Sequence, residues 1–260
     1  MAHGEEPPVA AASKVVATRM PPPLARGDAL FIDFDGTLVE IAATPDRIKV
    51  GAGLPTLLQR VAGQLDGAFA VISGRPLADL LHFLDGYSGA AAGNHGLERR
   101  NPTGDIYRPL ADPALDLVWP IVRQFAALTQ GVVIEDKGLS IAIHYRGRPE
   151  LADACRRLAE QAVLLSENQL TMLPGKMVIE LRPRAADKGL AAHAFLTEPE
   201  FNGRRPVFVG DDQTDEEGFT VVNGLGGYSI HVGDGNSLAR YRLGNVAAVI
   251  GWLEAFLAAV

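Results

Sequence analysis

The sequence predicts an α/β protein with a doubly wound, Rossmann-like parallel-sheet core and an inserted α+β unit. Three observations carry this prediction. Short, continuous apolar runs end abruptly at polar residues or glycine, segments with helical spacing separate these runs, and the middle of the chain follows a different pattern. Continuous rather than alternating hydrophobicity is typical of parallel strands that are buried on both faces.

Three apolar runs predict the central strands. Each stops at a residue that could serve a ligand site, because ligands of doubly wound sheets bind beyond the carboxyl ends of the strands. The runs are 29–32 before Asp33, 68–72 before Ser73, and 207–209 before Gly210 and Asp211.

Apolar residues at helical spacing fill the segments between these strands. They occupy 54–65 and 77–84, and Pro76 stands where the second helix would begin. Near the C-terminus, Asn245 is a candidate N-cap for a helix over 246–257. Alternation of strands and helices predicts the doubly wound core.

The middle of the chain predicts a helix, a hairpin, a second helix and a second hairpin, which is typical of an α+β layer with an antiparallel sheet. The helices are expected at 114–128 and 149–165, and the hairpins at 132–145 and 170–181.

This pattern divides the chain into three parts. We expect a core at 27–108 and 184–260, with the α+β unit inserted at 109–183. Residues 1–26 hold several prolines among small residues and lack the apolar stretch of a secretory signal, so we expect a disordered tail.

Composition excludes several classes of protein. The chain has 260 residues, 47% of them hydrophobic, which is enough for a substantial core. A net charge of −7 argues against a nucleic-acid binder, so an anionic substrate needs a locally positive pocket. Cys155 is the only cysteine, which excludes an intrachain disulfide and favours a cytoplasmic location. No apolar run approaches the roughly 20 residues of a membrane span.

The segment Asp33–Thr37 follows the first predicted strand. Alternation would direct Asp33 and Asp35 to the same face. Two neighbouring buried carboxylates repel each other unless a cation or a proton separates them, so the pair predicts a metal ion. The alternative is a capped strand end with an Asp–Gly turn.

A second acidic segment, Gly210-Asp211-Asp212, follows another predicted strand. Mg²⁺ prefers about six oxygen ligands and keeps some waters. Asp33, Asp211 and the backbone carbonyl of Asp35 are candidate ligands, and Asp212 could bind the metal's waters. We expect Asp215 to cap the following helix instead.

Two further segments could bind an anion. A predicted strand leads into a predicted helix through Ser73, Gly74 and Arg75. A hydroxyl and backbone N–H groups at the start of a helix can bind a phosphate. The alternative is a simple serine N-cap. Lys188 stands at the start of another predicted helix, where a lone lysine is usually a solvated surface residue.

Together, these four segments resemble the haloacid dehalogenase superfamily of aspartyl phosphotransferases. The motifs match in order as Asp33–Thr37, Ser73, Lys188 and Gly210-Asp211-Asp212. The resemblance implies that Asp33 is the nucleophile and Asp35 the general acid and base. Members that cleave carbon–halogen bonds lack the second aspartate, so phosphoryl transfer is expected. Mg²⁺ is the implied cofactor, with Asp33, Asp35, Asp211 and Asp212 as the candidate metal residues.

Longer motifs are similar to those of trehalose-6-phosphate phosphatases. They are Gly93–Gly96, Lys137, His144–Arg146, Gly175–Pro183 and 210–216. The resemblance implies trehalose 6-phosphate as the substrate and a cap domain inserted between the second and third superfamily motifs. A trehalose-6-phosphate synthase is a candidate partner, and we expect a cytoplasmic monomer.

The candidate substrate residues fall into two groups. The candidates on the core lie around the expected phosphate site or in a nearby loop. The candidates on the insert have polar groups that could bind sugar hydroxyls. Glu180 would lie in the last strand of the insert, with Met177 and Ile179 on its other face. The alternative is an ordinary solvated sheet face. The candidates are Gly36, Thr37, Gly74, Arg75, Asn94 and His95 on the core, and Glu135, Lys137, Arg146, Lys176 and Glu180 on the insert.

Three alternative functions stay open at this point. A phosphomutase of the same superfamily would share the core, and a phosphatase for sucrose 6-phosphate or mannosylphosphoglycerate would share the mechanism. A catalytically inactive sugar-phosphate sensor is the third, although the complete set of Asp33, Asp35, Lys188 and Asp211 speaks against it.

Overall fold

Two β-sheets and the helices that cover them form the structure, a computed structural model that describes residues 19–42 and 47–259. The strands are β1 (Asp28–Asp33), β2 (Phe69–Ile72), β3 (Ala90–Gly93), β4 (Glu98–Arg100), β5 (Ile106–Tyr107), β6 (Val133–Asp136), β7 (Ile141–His144), β8 (Leu170–Gly175), β9 (Val178–Pro183), β10 (Arg205–Gly210), β11 (Tyr228–Val232) and β12 (Tyr241–Leu243). The α-helices are α1 (Leu54–Gln64), α2 (Leu77–Phe83), α3 (Pro113–Leu128), α4 (Ala152–Leu165), α5 (Lys188–Phe195), α6 (Asp215–Gly224) and α7 (Val246–Ala259).

The larger sheet has the strand order β12-β11-β10-β1-β2-β3-β4-β5. The pairs from β12 to β3 are parallel, and β4 and β5 extend the sheet in antiparallel pairing. All six residues of β1 are buried, because helices that connect parallel strands cover the faces of the sheet. The predicted α/β fold class is confirmed.

Aromatic side chains fill the core beside β1. Phe31 stacks on Phe201 with ring centroids 5.6 Å apart, and Phe195 and Phe208 pack around the same ring. All four are fully buried. Burial of each such side chain contributes about 1.5–3 kcal/mol, which fixes β1 and the residues at its end.

The smaller sheet, in the order β6-β7-β9-β8, is antiparallel throughout. Residues such as Ile141, Ile143 and Leu181 pack in one apolar cluster with α3 and α4. Alternation along the strands leaves polar residues on the opposite face. The two predicted helices and two hairpins are present. The division at 109 and 183 remains a proposal, supported by the separate apolar cluster of each sheet.

The predicted disordered tail is wrong for residues 19–26, while residues 1–18 lie outside the described part. The Arg19 carbonyl accepts a hydrogen bond from the Arg242 N–H at 2.9 Å, and the Pro22 carbonyl accepts one from the Trp252 indole at 3.0 Å. Leu24 is buried. Residues 19–26 therefore provide acceptors for a backbone N–H of the edge strand β12 and for the indole N–H of Trp252.

No helix formed by the described residues combines the length and the apolar character that crossing a bilayer requires.

Candidate active site

The acidic and basic candidates meet at the carboxyl edge of the parallel sheet. Asp33 is the last residue of β1, and Asp211 directly follows β10. Lys188 and Asp215 are the first residues of α5 and α6. Four separate elements therefore bring these side chains to one place.

Lys188 lies between two carboxylates. Its Nζ is 2.7 Å from Oδ1 of Asp33 and 2.7 Å from Oδ1 of Asp215, and its side chain is 3% exposed. Burial alone would lower the pKa of Lys188, but Asp215 and Asp33 outweigh burial and raise that pKa well above its usual value. Lys188 is therefore held as a cation.

The carboxylates outnumber the positive charge. Burial raises the pKa of Asp33 well above its usual value despite Lys188, and burial with Asp33 does the same for Asp215. Burial, together with Asp215 and Asp212, raises the pKa of Asp211 to about 7. Asp33, Asp211 and Asp215 thus share the positive charge of Lys188, while burial and mutual repulsion disfavour their charged forms.

A divalent cation fits this imbalance. One carboxylate oxygen from each of Asp33, Asp211 and Asp215 lies within 4.8 Å of the others. Hard cations such as Mg²⁺ prefer oxygen donors of this kind and relieve repulsion between carboxylates.

Gly36 and Thr37 shape the position of Asp211. Gly36 has φ of +83°, and a Cβ there would lie 2.1 Å from Oδ2 of Asp211. Only glycine permits both the left-handed backbone and this approach. The Thr37 hydroxyl donates to Oδ1 of Asp211 at 3.4 Å.

The expectation that Asp215 caps α6 is wrong. Its buried carboxylate turns back to the end of β10, where Oδ2 accepts hydrogen bonds from the N–H groups of Asp211 and Asp212 at 3.0 Å each. It is Oδ1 of Asp212 that accepts a hydrogen bond from the N–H of Thr214, the N-cap of α6, at 2.8 Å. The run of acidic residues was visible in the sequence, but composition cannot tell which of them is buried.

Asp35 occupies a different setting from Asp33. Since β1 ends at Asp33, the two do not share a strand face as predicted. Asp35 accepts hydrogen bonds from Nε and Nη2 of Arg75, both at 2.7 Å, and the Arg75 guanidinium lies 4.9 Å from the centre of the Phe83 ring. The predicted contributions of Asp35 and Asp212 to the metal site remain predictions, and neither is one of the three clustered carboxylates.

Ser73, Gly74 and His95 pack closely beside this site. Oγ of Ser73 accepts a hydrogen bond from the Arg75 N–H at 3.1 Å, which leaves its hydroxyl proton able to donate. A Cβ at Gly74 would lie 2.6 Å from the His95 ring. Asn94 instead donates to Oε2 of Glu98 at 2.8 Å, so it shapes the loop.

Glu180 of the insert reaches the core at His95. Its carboxylate accepts hydrogen bonds from the Ser140 hydroxyl at 2.7 Å and from Lys137 at 2.9 Å, and lies 3.6 Å from Nε2 of His95. Burial would raise the pKa of Glu180, but His95, Lys137 and Ser140 outweigh burial and lower it. The structure therefore brings Glu180, Lys137 and His95 together.

Glu135 shares the sheet face of Glu180, since Glu135 lies opposite Ala142 of β7 and Ala142 lies opposite Glu180 of β9. Glu135 pairs with Nε2 of His144 at 2.8 Å. Lys176 is exposed in the turn before β9, and its carbonyl accepts a hydrogen bond from Arg146 at 3.4 Å. Met177 also lies in this turn, with φ of +64°, so its predicted strand position is wrong.

Two residues that the sequence analysis did not single out join the insert to the core. Nη2 of Arg182, in β9, donates to Oε1 of Glu217, in α6, at 2.6 Å. Oε2 of Glu217 accepts a hydrogen bond from the backbone N–H of Lys188 at 3.2 Å. Arg182 belongs to the Gly175–Pro183 motif, but no sequence pattern identified Glu217 as its partner.

Comparison with known proteins identifies close relatives. Residues 31–244 match the family model described as trehalose-phosphatase. The chain is 41% identical to trehalose-6-phosphate phosphatase of Escherichia coli strain K12 over 234 residues, or 90% of this chain and 88% of that protein. It is 34% identical to the bifunctional trehalose-6-phosphate synthase/phosphatase of Thermoproteus tenax over 246 residues, or 86% of this chain and 31% of that protein.

A solved structure agrees with these sequence matches. Trehalose-6-phosphate phosphatase of Aspergillus fumigatus, in crystal form 3, superposes with a TM-score of 0.67 at 25% identity. The match covers 92% of this chain and 99% of the fungal chain.

Proposed function

The chain belongs to the trehalose-phosphatase family, and from that premise we propose that it hydrolyses trehalose 6-phosphate to trehalose and phosphate. One observation carries the proposal. The paired Asp33 and Lys188 lie at the carboxyl edge of the core, beside the loop where His95 contacts Glu180 of the insert. A site for phosphoryl transfer and a polar surface suited to a sugar are thus adjacent.

Asp33 is the proposed nucleophile. Its carboxylate attacks phosphorus in line, a bond forms between Oδ and phosphorus, and the bond to the sugar oxygen breaks. Lys188 holds Asp33 and stabilises negative charge on the phosphoryl oxygens, and the Ser73 hydroxyl donates to one of them. Water then hydrolyses the aspartyl-phosphate.

Asp33, Asp211 and Asp215 are the proposed holders of Mg²⁺. When bound, the ion supplies positive charge that offsets repulsion between the carboxylates and the anionic phosphate. Asp215 replaces Asp212 in our assignment, because its carboxylate is the one turned into the cluster.

Asp35 is the proposed general acid and base. A sugar alkoxide is a poor leaving group, so Asp35 donates a proton to it and later removes one from the attacking water. Arg75 holds both oxygens of Asp35 in the structure described here. Each oxygen of Asp35 keeps a second lone pair, so Asp35 can carry the transferred proton while Arg75 orients it.

Glu180, Lys137 and His95 are the proposed sugar-binding residues. Trehalose has many hydroxyl groups and little apolar surface, so binding requires paired donors and acceptors. The Glu180 carboxylate, held ionised by its donors, is a strong acceptor for a sugar hydroxyl.

We also propose that a trehalose-6-phosphate synthase supplies the substrate. Support comes from the Thermoproteus tenax relative, whose name joins synthase and phosphatase in one chain.

Phosphate release from a panel of esters tests the function. We expect trehalose 6-phosphate to give the highest kcat/KM among trehalose, sucrose, glucose and mannosyl-linked phosphates, with free trehalose as the product. Asp33→Asn is the control for contaminating phosphatases. A preference for another sugar phosphate, or formation of an isomer without release of phosphate, would contradict the proposal.

A further inference from the structure

Arg182 carries a buried positive charge between the insert and the core. Its side chain is 5% exposed, and its hydrogen bond to Glu217 is 2.6 Å long. Nε and Nη1 of Arg182 have no hydrogen-bond partner among the described residues. Because a buried guanidinium is costly unless it is paired, the contact with Glu217 is energetically important.

Glu217 uses its two oxygens for two different elements. Oε1 accepts from Arg182 of β9, and Oε2 accepts from the backbone N–H of Lys188 at 3.2 Å. The first N–H groups of a helix have no partner within the helix, and a carboxylate satisfies them well. Asp187 accepts from the Leu190 N–H at 2.8 Å, so two carboxylates together hold the start of α5.

The start of α5 has little room to move. A Cβ at Gly189 would lie 2.5 Å from the backbone oxygen of Glu217, so α5 and α6 already touch at this point. Lys188, the first residue of α5, reaches Asp33 from here. A small shift of the helix start would move Nζ of Lys188 relative to Asp33.

We infer that Arg182 and Glu217 are positioning residues that fix the catalytic lysine, Lys188, through its own backbone N–H. The insert thus contributes to phosphoryl transfer as well as to sugar binding. The inference rests on the proposed role of Lys188. It differs from the role proposed for Glu180, which acts on the sugar alone.

The Mg²⁺-loaded enzyme with Arg182→Gln provides the first test. Without the guanidinium, Glu217 loses its partner and the start of α5 loosens. A misplacement of about 1 Å can lower a rate about 100-fold, so we expect kcat to fall between about 10- and 100-fold. The fall should be similar for trehalose 6-phosphate and for p-nitrophenyl phosphate, which has no sugar. The Kd for trehalose should change less than about twofold.

Four further variants separate positioning from a general loss of structure. Arg182→Lys keeps a positive charge near Glu217 and should restore part of the activity. Glu217→Gln should resemble Arg182→Gln, and the double variant should lose little more than the worse single variant, because both changes break one link. The matched control is Arg184→Gln. Arg184 is exposed and donates to the Asn168 carbonyl instead, so activity should stay within about twofold.

Amide hydrogen exchange gives a readout that does not depend on activity. The Lys188 N–H should exchange faster in Arg182→Gln and Glu217→Gln, and should be unchanged in Arg184→Gln. If wild type hydrolyses p-nitrophenyl phosphate but not trehalose 6-phosphate, the substrate proposal fails. Hydrogen exchange and hydrolysis of p-nitrophenyl phosphate then still test whether Arg182 and Glu217 position Lys188. A loss confined to trehalose 6-phosphate with a raised Kd for trehalose, or unchanged exchange at Lys188, would overturn the inference.

Discussion

Asp33 and Glu180 are both buried carboxylates, but their surroundings change their pKa in opposite directions. Burial raises the pKa of Asp33, Lys188 opposes this, and Asp211 and Asp212 add to it. Lys188 also pairs with Asp215, so Asp33 shares its positive partner. Glu180 has donors of its own, and their combined effect lowers its pKa despite burial. The core is short of positive charge, whereas the charge of Glu180 is already balanced.

This difference indicates two kinds of ligand. The core cluster gains most from a divalent cation, which balances charge on several carboxylates at once. Glu180 does not need a further cation to balance its charge. Its carboxylate can instead accept hydrogen bonds from neutral hydroxyl groups. One part of the site therefore suits a metal and a phosphate, and the other suits a sugar.

Asp33→Asn should have the largest effect, because it removes the attacking charge while it preserves size. We expect kcat to fall at least about 10⁴-fold on every phosphate ester, as is usual when a nucleophile is lost. Phosphate release by the purified variant measures this. A folded variant that keeps more than a few per cent of wild-type activity would rule out the covalent mechanism.

Asp35→Asn should separate two kinds of leaving group. General acid catalysis is worth about 10²–10⁴-fold, and a sugar alkoxide needs it more than a phenolate does. We expect the rate at which phosphate is first transferred to Asp33 to fall far more for trehalose 6-phosphate than for p-nitrophenyl phosphate. Rapid-quench measurement of the first turnover checks this. Equal losses on both esters would remove Asp35 from the role of general acid.

Asp215→Asn and Asp212→Asn form a matched pair that tests which carboxylate serves the cluster. Asp215 is buried beside Lys188, whereas the Asp212 side chain is 56% exposed. We expect Asp215→Asn to lower activity about 100-fold and to raise the Mg²⁺ concentration that is needed for half of it. Asp212→Asn should have a clearly smaller effect.

Titration of Mg²⁺ into chelator-treated enzyme measures both variants. The wild-type enzyme should lose activity in excess chelator and regain it with Mg²⁺. Full activity in excess chelator would contradict the metal assignment. A larger effect for Asp212→Asn than for Asp215→Asn would restore the assignment that the sequence suggested.

Glu180→Gln should act on the sugar alone. A charge-assisted hydrogen bond contributes roughly 1.5–3 kcal/mol, so kcat/KM for trehalose 6-phosphate should fall about ten- to hundred-fold. Hydrolysis of p-nitrophenyl phosphate should change little. Glu160→Gln, on the exposed side of α4, is the control and should leave both rates unchanged. An equal loss on both esters with Glu180→Gln would mean that Glu180 supports the fold instead.

The sequence predicted much of this arrangement, because its signals were local. Apolar runs that end at Asp33 and Ser73 predicted the strand ends, and the resemblance added Lys188. The burial of Asp215 was not predictable in this way. It depends on how the turn after β10 folds back against Lys188, which begins a helix 27 residues earlier in the chain.

The sequence pattern also did not predict the contacts between the insert and the core. Glu217 resembles an ordinary acidic residue in the first turn of a helix, and only the hydrogen bond between β9 and α6 shows its partner, Arg182. The bidentate pair of Arg75 with Asp35 was missed for the same reason. Pairing across elements depends on packing, which a local pattern does not specify.

Replacement of His95 has the smallest expected effect. It tests the contact between the core and the insert. Burial lowers the pKa of His95 below its usual 6.5, although Glu180 opposes this. Arg182 and Lys188 also act on the imidazole and disfavour its charge. In the unfolded chain His95 binds a proton near pH 6.5, whereas in the folded protein it binds one only at lower pH. Stability should therefore fall as pH drops below about 6.5, by at most about 1.4 kcal/mol per pH unit.

Urea unfolding of wild type and His95→Gln between pH 7.5 and pH 5 measures this dependence. The variant cannot take up the proton, so its stability should vary less over this range. His193→Gln, which removes an exposed histidine of α5, is the control and should keep the wild-type slope. If His95→Gln also keeps that slope, then folding leaves the pKa of His95 unchanged and the expected shift is wrong. If the stability of the variant instead falls more steeply than that of wild type as the pH drops, then folding raises the pKa of His95. The contact with Glu180 would then be an ion pair, and the insert and the core would be held together by charge at this point.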